Sequence, residues 1–167
     1  HTFTTKSDTE VLLHGYEQWG VDLLQRVRGM FTFVIWDKNK QELFGARDHF
    51  GIKPFYYAKM NGTFMYASEI KSLLRHPDFV KELNAEALKP YMTFQYPAIG
   101  ETFFKGVYKL PEGHYFTYRD GKMDIHRYYD EDFREGKQKL GELVNSIEQS
   151  VCDSVKAHQI ADVEVGS

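Results

Sequence analysis

The run Met30-Phe31-Thr32-Phe33-Val34-Ile35-Trp36-Asp37-Lys38-Asn39-Lys40-Gln41-Glu42-Leu43-Phe44-Gly45-Ala46-Arg47 sets the fold class. Met30 to Trp36 is an apolar and aromatic stretch, long enough for a strand buried on both faces. Asp37-Lys38-Asn39-Lys40 supplies turn residues, and Glu42 to Arg47 reads as the returning strand. Two further hairpins follow. Phe55 to Lys59 and Thr63 to Ala67 flank Asn61-Gly62, the strongest short hairpin signal. Tyr115 to Tyr118 and Lys122 to Arg127 flank Asp120-Gly121. Consecutive strands joined by tight turns pair antiparallel, so the class is α+β with antiparallel sheets and flanking helices.

Helices frame these hairpins. Thr2 to Thr5 favour a short strand, and Ser7-Asp8-Thr9-Glu10 has the form of a capping box. In that arrangement Ser7 accepts from the Glu10 backbone and the Glu10 side chain reaches back to the Ser7 amide. Leu12, Leu13, Tyr16 and Trp19 then recur at helical spacing up to Gly20. A second helix is expected over Leu23 to Val27, ending at Gly29. Ser68 is placed to cap a helix through Leu74 that stops before His76-Pro77. Asn84 is placed to cap another near Ala85 to Phe94, with a loop containing Pro97 and Gly100 behind it.

Composition narrows the function classes. The 167 residues carry 21 Lys plus Arg against 24 Asp plus Glu, a formal charge of −3, so a nucleic-acid partner is disfavoured. A hydrophobic share of 42%, with 13 Phe and 11 Tyr, is too rich for a disordered chain. No apolar run approaches the ~20 residues that span a bilayer. The single cysteine, Cys152, excludes an internal disulfide, and the composition points to a soluble cytoplasmic protein. The chain opens in strand-like sequence and closes on Asp162-Val163-Glu164-Val165-Gly166-Ser167, a strand that stops where a loop should begin. An internal segment of a longer protein is therefore expected.

The character of the sequence changes near residue 130. Residues 131–137 form a charged, turn-forming linker, and from 138 onward Leu140, Leu143, Val144, Ile147, Val151 and Val155 stripe a long amphipathic helix. Cys152 falls in mid-helix, away from any helix N-terminus that would activate it, and reads as a plain helix residue. The seven histidines, His49, His76 and His114 among them, show no ligand spacing, and no glycines assemble into a phosphate loop. Asp8, at the first helical position, serves either the helix dipole or a ligand ammonium; spacing leaves both open.

Several motifs taken together resemble one family. They are Ser7-Asp8-Thr9-Glu10-Val11, Gly29-Met30-Phe31, Ala46 through Pro54 (Ala-Arg-Asp-His-Phe-Gly-Ile-Lys-Pro), Ala67-Ser68-Glu69-Ile70-Lys71 and Leu110-Pro111-Glu112-Gly113-His114. In this order they resemble the later part of the glutaminase domain of the glutamine-hydrolysing asparagine synthetases, which are class II glutamine amidotransferases and N-terminal-nucleophile hydrolases. The resemblance implies a partial αββα fold over residues 1–130 and, from 138 to 167, the first helix of an α/β synthetase domain. It also implies an N-terminal cysteine that attacks the glutamine amide, an oxyanion held by an Asn side chain and a Gly N–H, and ammonia delivered to a second site. There ATP and Mg²⁺ activate aspartate as an adenylate.

Residue by residue, the resemblance makes Asp8 the partner of the α-ammonium of bound glutamine. Met30 and Ile52 match positions on the ammonia path, although both also read as core residues; a dry lining would keep ammonia neutral. Arg47 and Asp48 are expected to hold the turn after their strand. His1 stands where no nucleophilic cysteine is found, and the Arg-Gly-Pro, Asn-Gly-Glu and nucleotide-loop segments of the family are not in this sequence. No catalytic residue and no metal ligand is therefore expected here, and the segment alone should be inactive. The partners implied are glutamine, aspartate, the remainder of the chain and a second copy in a homodimer. Two alternatives stand beside this reading: a related amidotransferase with another acceptor, and a non-catalytic relic or binding module.

Overall fold

The computed structural model describes residues 1–96, 100–134, 136 and 138–161. The strand expected at Asp162–Ser167 and the Pro97 part of its loop lie outside them. The chain divides into two units, His1–Asp130 and Glu131–Ser167.

The first unit holds two antiparallel sheets. β1 (Thr32–Asp37), β2 (Glu42–Arg47), β6 (His114–Arg119) and β7 (Lys122–Arg127) form one, in that spatial order. β4 (Thr63–Ala67), β3 (Tyr56–Met60) and β5 (Val107–Lys109) form the other. All three hairpins read from the sequence are present, with Asn61 and Gly62 at φ 50° and 83° and Asp120 and Gly121 at 50° and 77°. These are the positive values that a two-residue turn matching strand twist demands.

Strand alternation sorts the side chains into stacked layers. Phe33, Ile35, Phe44, Ala46 and Tyr115 face α1 (Asp8–Trp19) and the 3₁₀ segment Gly20–Gln25, packing on Tyr16, Leu23 and Leu24. Val34, Leu43, Phe116 and Tyr118 turn the other way and meet Phe55, Tyr57 and Phe64 between the sheets. On the far face of the second sheet Ala58, Met65 and Val107 pack on Ile70 and Leu73 of α2 (Ile70–Leu73). This is an α+β fold with two face-to-face antiparallel sheets and helices on the outside. Gly45 gives the middle layer its tightest point, because the ring of its cross-strand neighbour Phe116 fills the space a Cβ would take.

Several local expectations are corrected. Thr2 to Thr5 form no strand: the Glu10 carboxylate takes the amides of Thr4 (2.8 Å) and Thr5 (2.6 Å), so it does not reach back to Ser7. The Ser7 hydroxyl accepts from the Thr9 amide rather than from that of Glu10, which donates to the Ser7 carbonyl instead. The second helix is a 3₁₀ segment that begins three residues earlier, at Gly20. β1 is packed on both faces, by Phe33 and Ile35 toward α1 and Val34 between the sheets, but as an edge strand it is fully buried only at Ile35, and Trp36 is exposed. Ser68 does not cap α2, whose N-cap is Glu69 without a side-chain bond. Asn84 does cap, accepting from Glu86 at 3.2 Å ahead of a 3₁₀ turn and α3 (Leu88–Phe94).

The second unit is α4 (Leu140–His158), whose Glu142 carboxylate accepts from the Lys139 amide. Its apolar stripe of Leu140, Leu143, Val144, Ile147, Val151 and Val155 is exposed, as is Cys152. No described helix is long and apolar enough to cross a membrane.

Candidate functional site

The loop that leaves β2 is built around two buried charges. Arg47 and Asp48 are 2% and 1% exposed. Isolated charges at that depth are costly, so each must be met by hydrogen bonds. The Arg47 guanidinium donates to the carbonyls of Lys53 (2.7 Å), Leu110 (2.7 Å) and Gly51. The Asp48 carboxylate accepts from the amides of Phe50 (3.2 Å), Ile52 (2.9 Å) and Lys53 (2.9 Å). Burial pushes the Arg47 guanidinium below its ordinary value, against the opposing charges of Glu112 and Asp48. The two residues hold the turn, as their place in the sequence suggests.

The same pair joins the two crossings between the sheets. Residues 48–55 carry the chain from β2 to β3, and 110–113 carry it back from β5 to β6. Arg47 bonds carbonyls in both crossings, and the Asp48 carbonyl accepts from Gly51 (3.1 Å) and from Gly113 (2.9 Å). The Tyr128 hydroxyl donates to the Arg47 carbonyl at 2.8 Å, and burial, then the Asp48 charge, push that hydroxyl up. At Gly51 a Cβ would lie 2.7 Å from the guanidinium, and its φ of +63° falls in the left-handed region that favours glycine.

Met30 and Ile52 lie at this end of the first sheet, but neither is a core residue. They are 46% and 56% exposed, beside the equally open Phe50. Asp48 relates them: its amide donates to the Phe31 carbonyl, next to Met30, and its carboxylate holds the Ile52 amide. The bracket spends its interior on charges and backbone, which leaves the apolar side chains of Met30, Phe50 and Ile52 pointing outward. His49 sits between Tyr129 (ring centroids 4.3 Å) and Tyr128 (5.5 Å).

Asp8 stands exposed at the first position of α1. Among the described residues no hydrogen bond or ion pair engages its carboxylate, and none joins it to Met30 or Ile52. A carboxylate in that position faces the unpaired amides of the first turn and can take a cationic group from solvent.

A separate groove of about 720 Å³ runs between α1 and the β1–β2 turn, lined among others by Glu10, His14, Glu17, Asp37 and Lys40. Across it the Tyr16 hydroxyl donates to Asp37 (3.1 Å) and accepts from Lys40 (3.1 Å). Thr5 and Thr4 hold the Glu10 carboxyl at about 2, the Thr5 hydroxyl contributing most. The sequence marks Glu10, Tyr16 and the Asp37–Lys40 turn only as cap, helix and turn residues, because the groove's two walls meet only in the fold.

The first unit, His1–Asp130, coincides with the stretch that a known family model matches. The chain belongs to the glutamine amidotransferase domain family, whose model matches residues 1–129. It is 41% identical over 168 residues to asparagine synthetase (glutamine-hydrolyzing) 1 of Bacillus subtilis (strain 168), covering 100% of this chain and 26% of that protein. Asparagine synthetase (glutamine-hydrolyzing) 3 of the same organism is 33% identical, over 99% of this chain and 27% of its own length. A putative asparagine synthetase of Mycobacterium bovis (strain ATCC BAA-935 / AF2122/97) is 38% identical, over 99% and 26%. The chain thus spans about a quarter of the length of the relatives it matches.

Proposed function

We propose that this chain is part of a glutamine-dependent asparagine synthetase, a cytoplasmic ligase that frees ammonia from glutamine and uses it to amidate ATP-activated aspartate. The observation that carries the reading is the extent of the likeness. It continues past residue 129, where the amidotransferase match ends, through α4 to the last residues of the chain. Over this whole extent the relatives named asparagine synthetases are 33–41% identical, against 31–32% for two fungal proteins named amidases. On this reading residues 1–130 belong to the glutaminase domain with an αββα N-terminal-nucleophile fold, 131–137 link, and 138–167 open the synthetase domain.

The chain's own residues bind and position. Asp8 pairs its carboxylate with the α-ammonium of glutamine, and Met30 and Ile52 contribute apolar surface to the ammonia path. Arg47 and Asp48 fix the loop that carries Ile52. ATP and Mg²⁺ serve the second domain. Among the described residues no glycine-rich turn opens a helix as nucleotide phosphates require, so the residues present here do not fit either group and no step runs through them. Cys152, exposed on α4, is not the nucleophile. The 167 residues by themselves release no ammonia from glutamine.

The test is kinetic. In the longer protein, Asp8→Ala removes a charge-assisted contact of roughly 1.5–3 kcal/mol and raises KM for glutamine roughly 10- to 100-fold, with kcat little changed. An unchanged KM removes the role given to Asp8. Glutamine turnover that is not matched by aspartate- and ATP-dependent pyrophosphate release moves the assignment to another acceptor. Ammonia release by the 167-residue chain, abolished by a thiol reagent, overturns the claim of inactivity.

A further inference from the structure

The fold brings His1 to a residue it does not neighbour in sequence. Its ring stacks on that of His14 with centroids 4.7 Å apart and planes 25° from parallel. Both rings present Nδ1 to one carboxylate oxygen, Glu17 Oε2, at 3.5 Å from His1 and 3.0 Å from His14. One ligand atom from each of the three residues lies within 4.8 Å of the other two. In a tetrahedral zinc site with bonds of 2.0–2.1 Å, ligand atoms are separated by roughly 3.3 Å, close to the two separations found here.

The outer arrangement agrees. The other ring nitrogen of His14, Nε2, faces Glu10 Oε1 at 3.6 Å. A histidine that turns one nitrogen to a cation commonly offers the other to a carboxylate, which fixes its tautomer and raises its basicity. Glu10 is itself immobilised by the amides and hydroxyls of Thr4 and Thr5. His14 and Glu17 sit one helical turn apart on α1, so two ligands come from a rigid element. The cluster lies at the groove between α1 and the β1–β2 turn, which leaves a fourth position open to water or an anion.

We propose that His1, His14 and Glu17 form a binding site for a borderline divalent transition metal, Zn²⁺ first, with Glu10 as the positioning carboxylate behind His14. Two imidazoles and one carboxylate suit zinc better than calcium or magnesium, which take oxygen ligands. Among the described residues no contact joins this site to Asp8, although both draw on α1.

The experiment titrates Zn²⁺ into the full, untagged chain carrying Cys152→Ser, which removes the one competing thiol. Calorimetry should give one ion per chain. His14→Ala and Glu17→Gln should each weaken binding at least tenfold, and Glu10→Gln by roughly 10- to 100-fold. Because His14→Ala could disturb α1, the unmutated rings are read as well. Zinc should shift the ring nitrogens of His1 and His14 and leave those of His49, His76 and His114 in place. Co²⁺ in the same site should give the visible absorption of a low-coordinate complex. Absence of saturable binding, binding unchanged in both ligand variants, or shifts confined to other histidines would each overturn the proposal.

Discussion

Replacing Gly45 by alanine tests the layered packing at its tightest point. The Cβ added there would lie 2.6 Å from Cζ of Phe116, closer still to Cε1, and 3.1 Å from Cγ2 of Val34. The ring cannot swing away, because Phe116 is fully buried and pinned by Phe55 (centroids 5.4 Å) and Phe64 (5.9 Å). Overpacking of this kind costs roughly 1–3 kcal/mol. Alanine in a strand gains roughly 0.5–1 kcal/mol over glycine through the unfolded chain. The net expectation is a loss of about 1–2 kcal/mol, which lowers Tm by roughly 3–8 °C in a unit of this size. Urea and thermal unfolding read it directly. Phe116→Leu removes the obstructing ring, and in that background Gly45→Ala should be neutral or stabilising, a coupling of about 1 kcal/mol or more. A stabilising Gly45→Ala in the unaltered protein, or additivity with Phe116→Leu, refutes the reasoning.

Two further outcomes follow from named hydrogen bonds. Asp48→Ala strands the amides of Phe50, Ile52 and Lys53 beside an uncompensated Arg47 and should cost about 3–5 kcal/mol in urea unfolding, whereas Asp48→Asn, which keeps one carbonyl acceptor, should lose about half of that. Asp37 is held below the usual carboxylate range chiefly by the Lys40 amide, with the Tyr16 hydroxyl and Asn39 amide assisting. A depressed carboxylate contributes fully above its unfolded value of about 3.9 and loses that contribution as pH falls through the folded one, so the Asn39 and Lys40 amide resonances should titrate together with a midpoint below 3.9. A midpoint at or above 3.9 contradicts the geometry.

What the sequence revealed and what it hid divides along the range of the interactions. The hairpins at Asn61-Gly62 and Asp120-Gly121 were legible because a two-residue turn is decided locally by which residues tolerate positive φ. β5 was missed: three residues, Val107 to Lys109, are too few for an alternating pattern, and their partner β3 lies about fifty positions earlier. The Ser7 to Glu10 signature correctly announced a helix, but its partners were misassigned, since Thr4 and Thr5 compete for Glu10 with shorter bonds. Met30 and Ile52 were read as core because apolarity does not say which face of a strand end or loop is covered. Asp8 was legible as a first-turn carboxylate, and the binding role proposed for it rests on family likeness. The His1–His14–Glu17 cluster left no trace in spacing, since the twelve residues between the two histidines must fold before the rings stack.

The bracket made by Arg47 and Asp48 has a consequence for how this region can change. By fastening both connections between the sheets from within, using main-chain atoms almost exclusively, it makes the position of the frame insensitive to what the loop's outward side chains are. The surface carrying Phe50 and Ile52 is thus free to be rewritten, by drift or by an engineer, while the two sheets stay locked in register behind it. A module fastened in this way can be offered to different neighbours without rebuilding its interior.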